Sequence, residues 1–235
     1  MIKNFKSTIY IIITSLLLLM IYFNFYISKP YHNNYTAVFS KIYSYNIWGK
    51  GSGIGSDPEN AKPYLKLLQQ YINDDRIHTI VDLGCGDWQI MSNINIPDNK
   101  AYKGYDVVSS VQQANIKKFA KPNIQFYIIQ DLEYFKRKKV YGDLLIVKDV
   151  LQHWPNKEIN YFFKNILPNF KYALITNSIM PNLPSLINRD ISLGEFRPIR
   201  LMDSPFTWNN VSILLEYPSP APDFKQVLFY KNSKN

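Results

Sequence analysis

Beyond Asn60 the chain alternates short apolar, β-branched runs with polar or amphipathic stretches. The runs are "IHTIVDLG", "AYKGYDVV", "NIQFYIIQD", "DLLIVKDV" and "YALITNS", and between them lie pieces such as "SSVQQANIKKF" and "NKEINYFFKNIL". Near-continuous apolar strands separated by helical segments predict a parallel sheet with helices on both faces. Ahead of the first run, Ala61, Tyr64, Leu65, Leu67, Leu68, Tyr71 and Ile72 recur at helical spacing. Ser56 or Asp57 is the expected cap of that helix, with Pro58 in its first turn. The tail breaks the rhythm, because "VSILLEYP" and "KQVLFYKN" are joined by a link too short for a helix. These two predict an antiparallel pair at one sheet edge. Residues 177–210, with prolines at 181, 184, 198 and 205, form an insertion that shows no legible period.

The first thirty residues follow a different pattern. A basic start with Lys3 and Lys6 precedes a mostly apolar stretch from Thr8 to Ile27, then Lys29 and Pro30. That length suits a membrane span, and the flank lacks a small-residue cleavage site, so the sequence predicts a retained signal anchor. Lys29, His32 and Lys41 on the far side balance the charges at the start, which leaves orientation undecided. The domain that follows is expected on the cytosolic side. The expected organisation is therefore a tail and anchor over 1–30, a linker and glycine-rich segment over 31–59, and a catalytic domain over 60–235.

A net charge of +9 over 235 residues is consistent with an anionic partner, although three of those charges flank the apolar segment. Nucleic acid is thus admitted as a partner without being favoured. The single cysteine, Cys85, excludes an intramolecular disulfide framework and a cysteine-rich zinc site. No histidine or carboxylate cluster has metal-ligand spacing, so no metal is expected.

Chemistry concentrates in "TIVDLGCGDW", a hydrophobic run that leads into Asp82, Gly84, Cys85, Gly86, Asp87 and Trp88. In open α/β sheets, ligands bind at the carboxyl ends of strands, where glycine turns let backbone approach closely. Asp106 ends the second run and Asp131 follows the third. Three acids at successive strand ends offer hydrogen-bond acceptors, which suits a ligand with a diol and an amine better than one with phosphates. The plain reading of each is a strand-end turn residue or helix cap. The stretch resembles the first motif of class I S-adenosylmethionine-dependent methyltransferases, and the likeness extends from Asn60 to about Ser178. It implies a cofactor site of Asp82, the Gly84 to Trp88 turn, Asp106 on the ribose, Asp131 near the adenine amine, and Lys148. Lys148 has ion pairing as its plainer role. In that family a third glycine often stands where this chain has Trp88.

The same resemblance makes "KDVLQHWP", after the fourth run, the wall between cofactor and acceptor. His153 is the candidate general base, with Asp149 four residues earlier to orient it or to touch the acceptor. Closing the turn before Pro155 is the alternative role for His153. In the insertion, Phe196, Arg197 and Arg200 are candidates for binding an anionic or planar acceptor, and a surface loop with paired arginines is the alternative. "WGKGSGIGSDPE" fits neither a P-loop nor a dinucleotide fingerprint. It is expected either to cover the pocket or to act as a linker. The sequence thus points to methyl transfer from S-adenosylmethionine to an unidentified acceptor by a membrane-anchored enzyme. A catalytically silent methyltransferase-like binding module is the competing expectation.

Overall fold

The apolar runs form strands, and the alternation of side chains along them decides what each face covers. The structure is a computed structural model that describes residues 34–182, 186–220 and 223–233. β1 (Thr79–Leu83), β2 (Ala101–Asp106), β3 (Ile124–Ile128), β4 (Gly142–Lys148) and β5 (Phe170–Ile179) pair in parallel. With β6 (Val211–Pro218) and β7 (Phe224–Lys231) they make a seven-stranded sheet in the order β3-β2-β1-β4-β5-β7-β6. β7 runs antiparallel to both β5 and β6. The expected mostly parallel sheet with an antiparallel C-terminal pair is what is observed.

The helices are α1 (Tyr35–Ser44), α2 (Lys62–Asn73), α3 (Ser109–Phe119), α4 (Glu133–Arg137) and α5 (Asn156–Asn165). Alternate residues of a strand face opposite sides of the sheet. Val81 and Leu83 of β1 enter a core layer with Phe39 of α1, Phe135 of α4 and Phe162 of α5. Ile80 enters the opposite layer with Tyr64, Leu68 and Ile72 of α2. The apolar spacing read for α2 therefore marks its buried stripe. Its start differs from expectation: the cap is Ala61 and the first-turn proline is Pro63. Asp57 instead accepts the backbone N–H of Glu59 and holds the preceding turn.

α1 lies in the stretch read as a linker. Asn34 caps it by accepting the backbone N–H of Ala37, and Tyr35, Phe39 and Ile42 are buried at helical spacing. The compact unit begins at Asn34. The expected transmembrane helix and the single-pass membrane localisation are corrected here. Among the described residues no helix is long and apolar enough to cross a membrane. The stretch from Thr8 to Ile27, from which the anchor was read, lies outside the described residues.

Candidate functional site

In-register parallel pairing brings the ends of β1 to β4 to one edge of the sheet, where Leu83 lies opposite Tyr105 and Asp106 opposite Ile128. A pocket opens there, roofed by α1 and residues 48–56. Counted out to its mouth it holds about 1010 Å³ of space not filled by atoms.

The turn after β1 forms because Gly84 and Gly86 adopt φ of 74° and 53°, a region that side-chain-bearing residues enter at a cost. A Cβ on Gly84 would fall 2.5 Å from Val150 Cγ2, and one on Gly86 2.3 Å from Ser52 Oγ. The family's third glycine position is filled by Trp88, which nonetheless keeps a left-handed φ of 64°. Its indole leaves the pocket and packs against Phe119, Phe126 and Tyr102, with centroids at 4.7, 5.4 and 5.7 Å. The backbone thus follows a glycine-like path while the ring serves the core. Trp88 is not part of the pocket wall, contrary to its expected place among the cofactor contacts.

Asp82, Asp87, Asp106 and Asp131 all line the pocket. Asp82 accepts the Tyr102 hydroxyl at 2.7 Å. Burial, reinforced by Asp106, pushes its carboxyl up to about 7. Asp106 accepts the backbone N–H groups of Gly86 and Val108, both at 3.0 Å. Those two bonds fix the carboxylate, and its remaining lone pairs stay available to a ligand. Asp131 accepts from the Tyr134 N–H and the Arg137 guanidinium, each at 3.0 Å, so it caps the approach to α4 while lining the pocket. Cys85 turns its thiol toward Gln112, and burial pushes that thiol up.

β4 ends in a buried ion cluster. Asp149, at φ 57°, is bonded to Lys148 and accepts Lys225 Nζ at 2.9 Å. Burial alone would raise its carboxyl, but the two ammonium groups outweigh it and hold it at about 2. Lys148 also donates to the carbonyl of Gly55 at 2.7 Å, and Lys225 donates to Ser178 Oγ at 2.6 Å. Asp149 therefore does not orient His153, as expected from a helical turn. The segment Leu151–His153 is a single 3-10 turn, and the histidine is bonded elsewhere.

His153 lines the pocket with its Nδ1 3.0 Å from the carbonyl of Glu195. A carbonyl only accepts, so Nδ1 carries the proton and Nε2 carries the lone pair. Burial is the main cause that brings this imidazole down to about 4, which keeps it neutral near pH 7. The Trp48 ring lies 4.8 Å from it and the Phe196 ring 5.8 Å.

The insertion grips the β4 exit instead of presenting arginines to a ligand. Arg197 is buried and donates to the carbonyls of Leu151 and Trp154 at 3.0 and 2.9 Å and to Asn156 Oδ1 at 2.9 Å. Arg200 faces Asp203 at 3.9 Å. Neither arginine lines the pocket, and Phe196 backs His153 from outside it.

Sequence reasoning missed the aromatic roof of Tyr35, Phe39 and Tyr43, whose signal was the spacing of Tyr35, Phe39 and Ile42 after a capping asparagine. It also missed Lys225 and Ser52, partners that only the fold brings to Asp149 and Asp87.

No family model matches the chain, and no curated protein matches it. Solved structures do. The N-methyltransferase NodS from Bradyrhizobium japonicum, in complex with S-adenosylhomocysteine, is 11% identical at TM-score 0.60, over 86% of this chain and 99% of that one. Magnesium protoporphyrin IX methyltransferase from Synechocystis, with bound S-adenosylhomocysteine, is 13% identical at TM-score 0.56, over 86% and 98%. An O-methyltransferase family protein from Burkholderia thailandensis is 13% identical at TM-score 0.52, over 74% and 57%. The chain has the fold of the class I S-adenosylmethionine-dependent methyltransferases.

Proposed function

We propose that the protein is a methyltransferase that uses S-adenosylmethionine. The observation that carries this reading is the pocket itself: a glycine turn at the end of β1 facing carboxylates at the ends of β2 and β3. NodS and the magnesium protoporphyrin IX enzyme were both solved with the demethylated cofactor bound, which supports the choice of cofactor. The residues fit that group. Asp106, held by two backbone N–H groups, offers acceptors to a ribose diol, and Asp131 offers one to an exocyclic amine. Gly84 and Gly86 let the backbone come close. Asp82 and Lys148 complete the wall.

The cofactor supplies a methyl group already activated on a sulfonium, so the protein's work is alignment and proton removal. The segment from Tyr35 to Ser56 supplies the roof, and Lys148 and Ser52 hold it through Gly55 and Asp87. His153 lines the pocket with its Nε2 unprotonated. The intact acceptor set on Asp106 favours an enzyme over a silent module. Ultraviolet crosslinking with methyl-tritiated S-adenosylmethionine tests the reading: label on pocket peptides that excess S-adenosylhomocysteine removes supports it, and label that resists competition contradicts it.

A further inference from the structure

The acceptor side of the pocket is aromatic and offers no unengaged cation among its described lining residues. Phe39 and Tyr43 pack their rings on Trp48 at 6.0 and 5.8 Å, and Trp48 packs on His153. The two tyrosine hydroxyls of the roof are already used. The Tyr43 hydroxyl is bonded to Ser52 at 2.7 Å, and Tyr35 donates to Glu158 at 2.6 Å. Lys148, the lysine in the wall, is bonded to Asp149 and Gly55. Asp82, Asp87, Asp106 and Asp131 line the same pocket, and carboxylates there disfavour an anionic ligand. Among the nitrogen groups of the described lining, Nε2 of His153 is the one that carries a lone pair and no proton. Its contact with Gln152 Nε2, at 3.5 Å, is long enough for a hydroxyl at normal distance to displace it.

Building on the methyltransferase reading, we propose that the acceptor is a flat, uncharged ring bearing a hydroxyl, stacked on the aromatic wall around Trp48 with its O–H on His153 Nε2. The acceptor oxygen forms the new bond to the methyl carbon as the carbon–sulfur bond breaks. The electron pair of that bond stays on the departing thioether sulfur, and the hydroxyl proton passes to Nε2 and from there to water. A ring hydroxyl suits a base of depressed basicity, because an aromatic oxyanion is far more stable than an aliphatic one. Arg197 and Arg200, which suggested an anionic acceptor, are bonded away from this wall.

The test uses the full chain saturated with S-adenosylhomocysteine and three matched probes: 2-naphthol, 2-naphthoate and decahydro-2-naphthol. The expected result is that 2-naphthol binds at least about tenfold tighter than either of the others and quenches tryptophan fluorescence. Trp48→Phe removes most of the quench, which places the probe. With S-adenosylmethionine, mass spectrometry shows the methyl naphthyl ether, and His153→Gln slows its formation about 100-fold at saturating 2-naphthol. Tighter binding of the carboxylate, equal binding of the saturated alcohol, or a quench indifferent to Trp48→Phe overturns the proposal. If S-adenosylhomocysteine binds and 2-naphthol does not, this inference alone fails. If S-adenosylhomocysteine does not bind, the methyltransferase reading fails and takes this inference with it.

Discussion

Ser52 and Asp87 clasp each other across the mouth of the pocket. Ser52 Oγ donates to Asp87 Oδ1 at 2.7 Å, and the Asp87 backbone N–H donates back to Ser52 Oγ at 3.1 Å. A serine hydroxyl has one proton, so the Tyr43 hydroxyl, 2.7 Å away, must be the donor in its own contact with Ser52. One side chain thus ties the glycine-rich segment both to α1 and to the turn after β1.

Ser52→Ala removes that clasp. A charge-assisted bond of this kind contributes about 1.5–3 kcal/mol, and partial exposure reduces it here to about 1 kcal/mol. The local effect should exceed the global one. Limited proteolysis should cut between residues 48 and 56 about fivefold faster, with the urea midpoint shifted little. Unchanged cleavage would mean that other contacts hold the segment.

Folding stability should carry the signature of a buried neutral histidine. His153 is held at about 4 in the fold against an ordinary value of 6.5. The unfolded chain therefore binds this proton first. The stabilisation is complete above pH 6.5 and is lost as pH falls toward 4, with a total of order 3 kcal/mol. Denaturant titrations across that window should show a slope that His153→Gln flattens. The acid limb of kcat should lie near the folded value, well below that of a free imidazole.

Asp149→Asn should be severe for a reason unrelated to chemistry. It strips the counter-charge from buried Lys148 and one of two from buried Lys225, which keeps Asp223 at 3.2 Å. Breaking such a pair costs about 3–5 kcal/mol. The double variant Asp149→Asn with Lys225→Met should be less unstable than the sum of the two single changes, as read from urea midpoints. Strict additivity would show that the residues do not interact.

Arg197→Lys separates two roles that the sequence leaves open. The guanidinium bridges three acceptors on the β4 exit, and an ammonium cannot reproduce that fork. Thermal denaturation should show a loss of about 2–4 kcal/mol. Acceptor binding by the remaining folded protein should not change. A variant of normal stability with weakened acceptor binding would restore the arginine to the site.

What the sequence made legible was whatever has a short period or a local motif. β6 is Val211–Pro218 and α3 is Ser109–Phe119, as the apolar and amphipathic runs predicted. The glycine turn and the strand-end acids also fell where expected. α1 escaped because its buried stripe is only three residues, set in polar, tyrosine-rich chain. The Asp149 and His153 pairing failed for a physical reason: four-residue spacing brings side chains together only in a helix, and this stretch makes one 3-10 turn. Lys225, 76 residues from Asp149, is closer to it in space than a local reading can reveal.

The most direct measurement is calorimetric titration of the full chain with S-adenosylmethionine and S-adenosylhomocysteine, alongside Asp106→Asn checked for folding by circular dichroism. The account predicts saturable binding of both compounds, in the micromolar range, weakened at least about tenfold by the substitution. A folded chain that binds neither compound, or binds them equally well with Asp106→Asn, would contradict it.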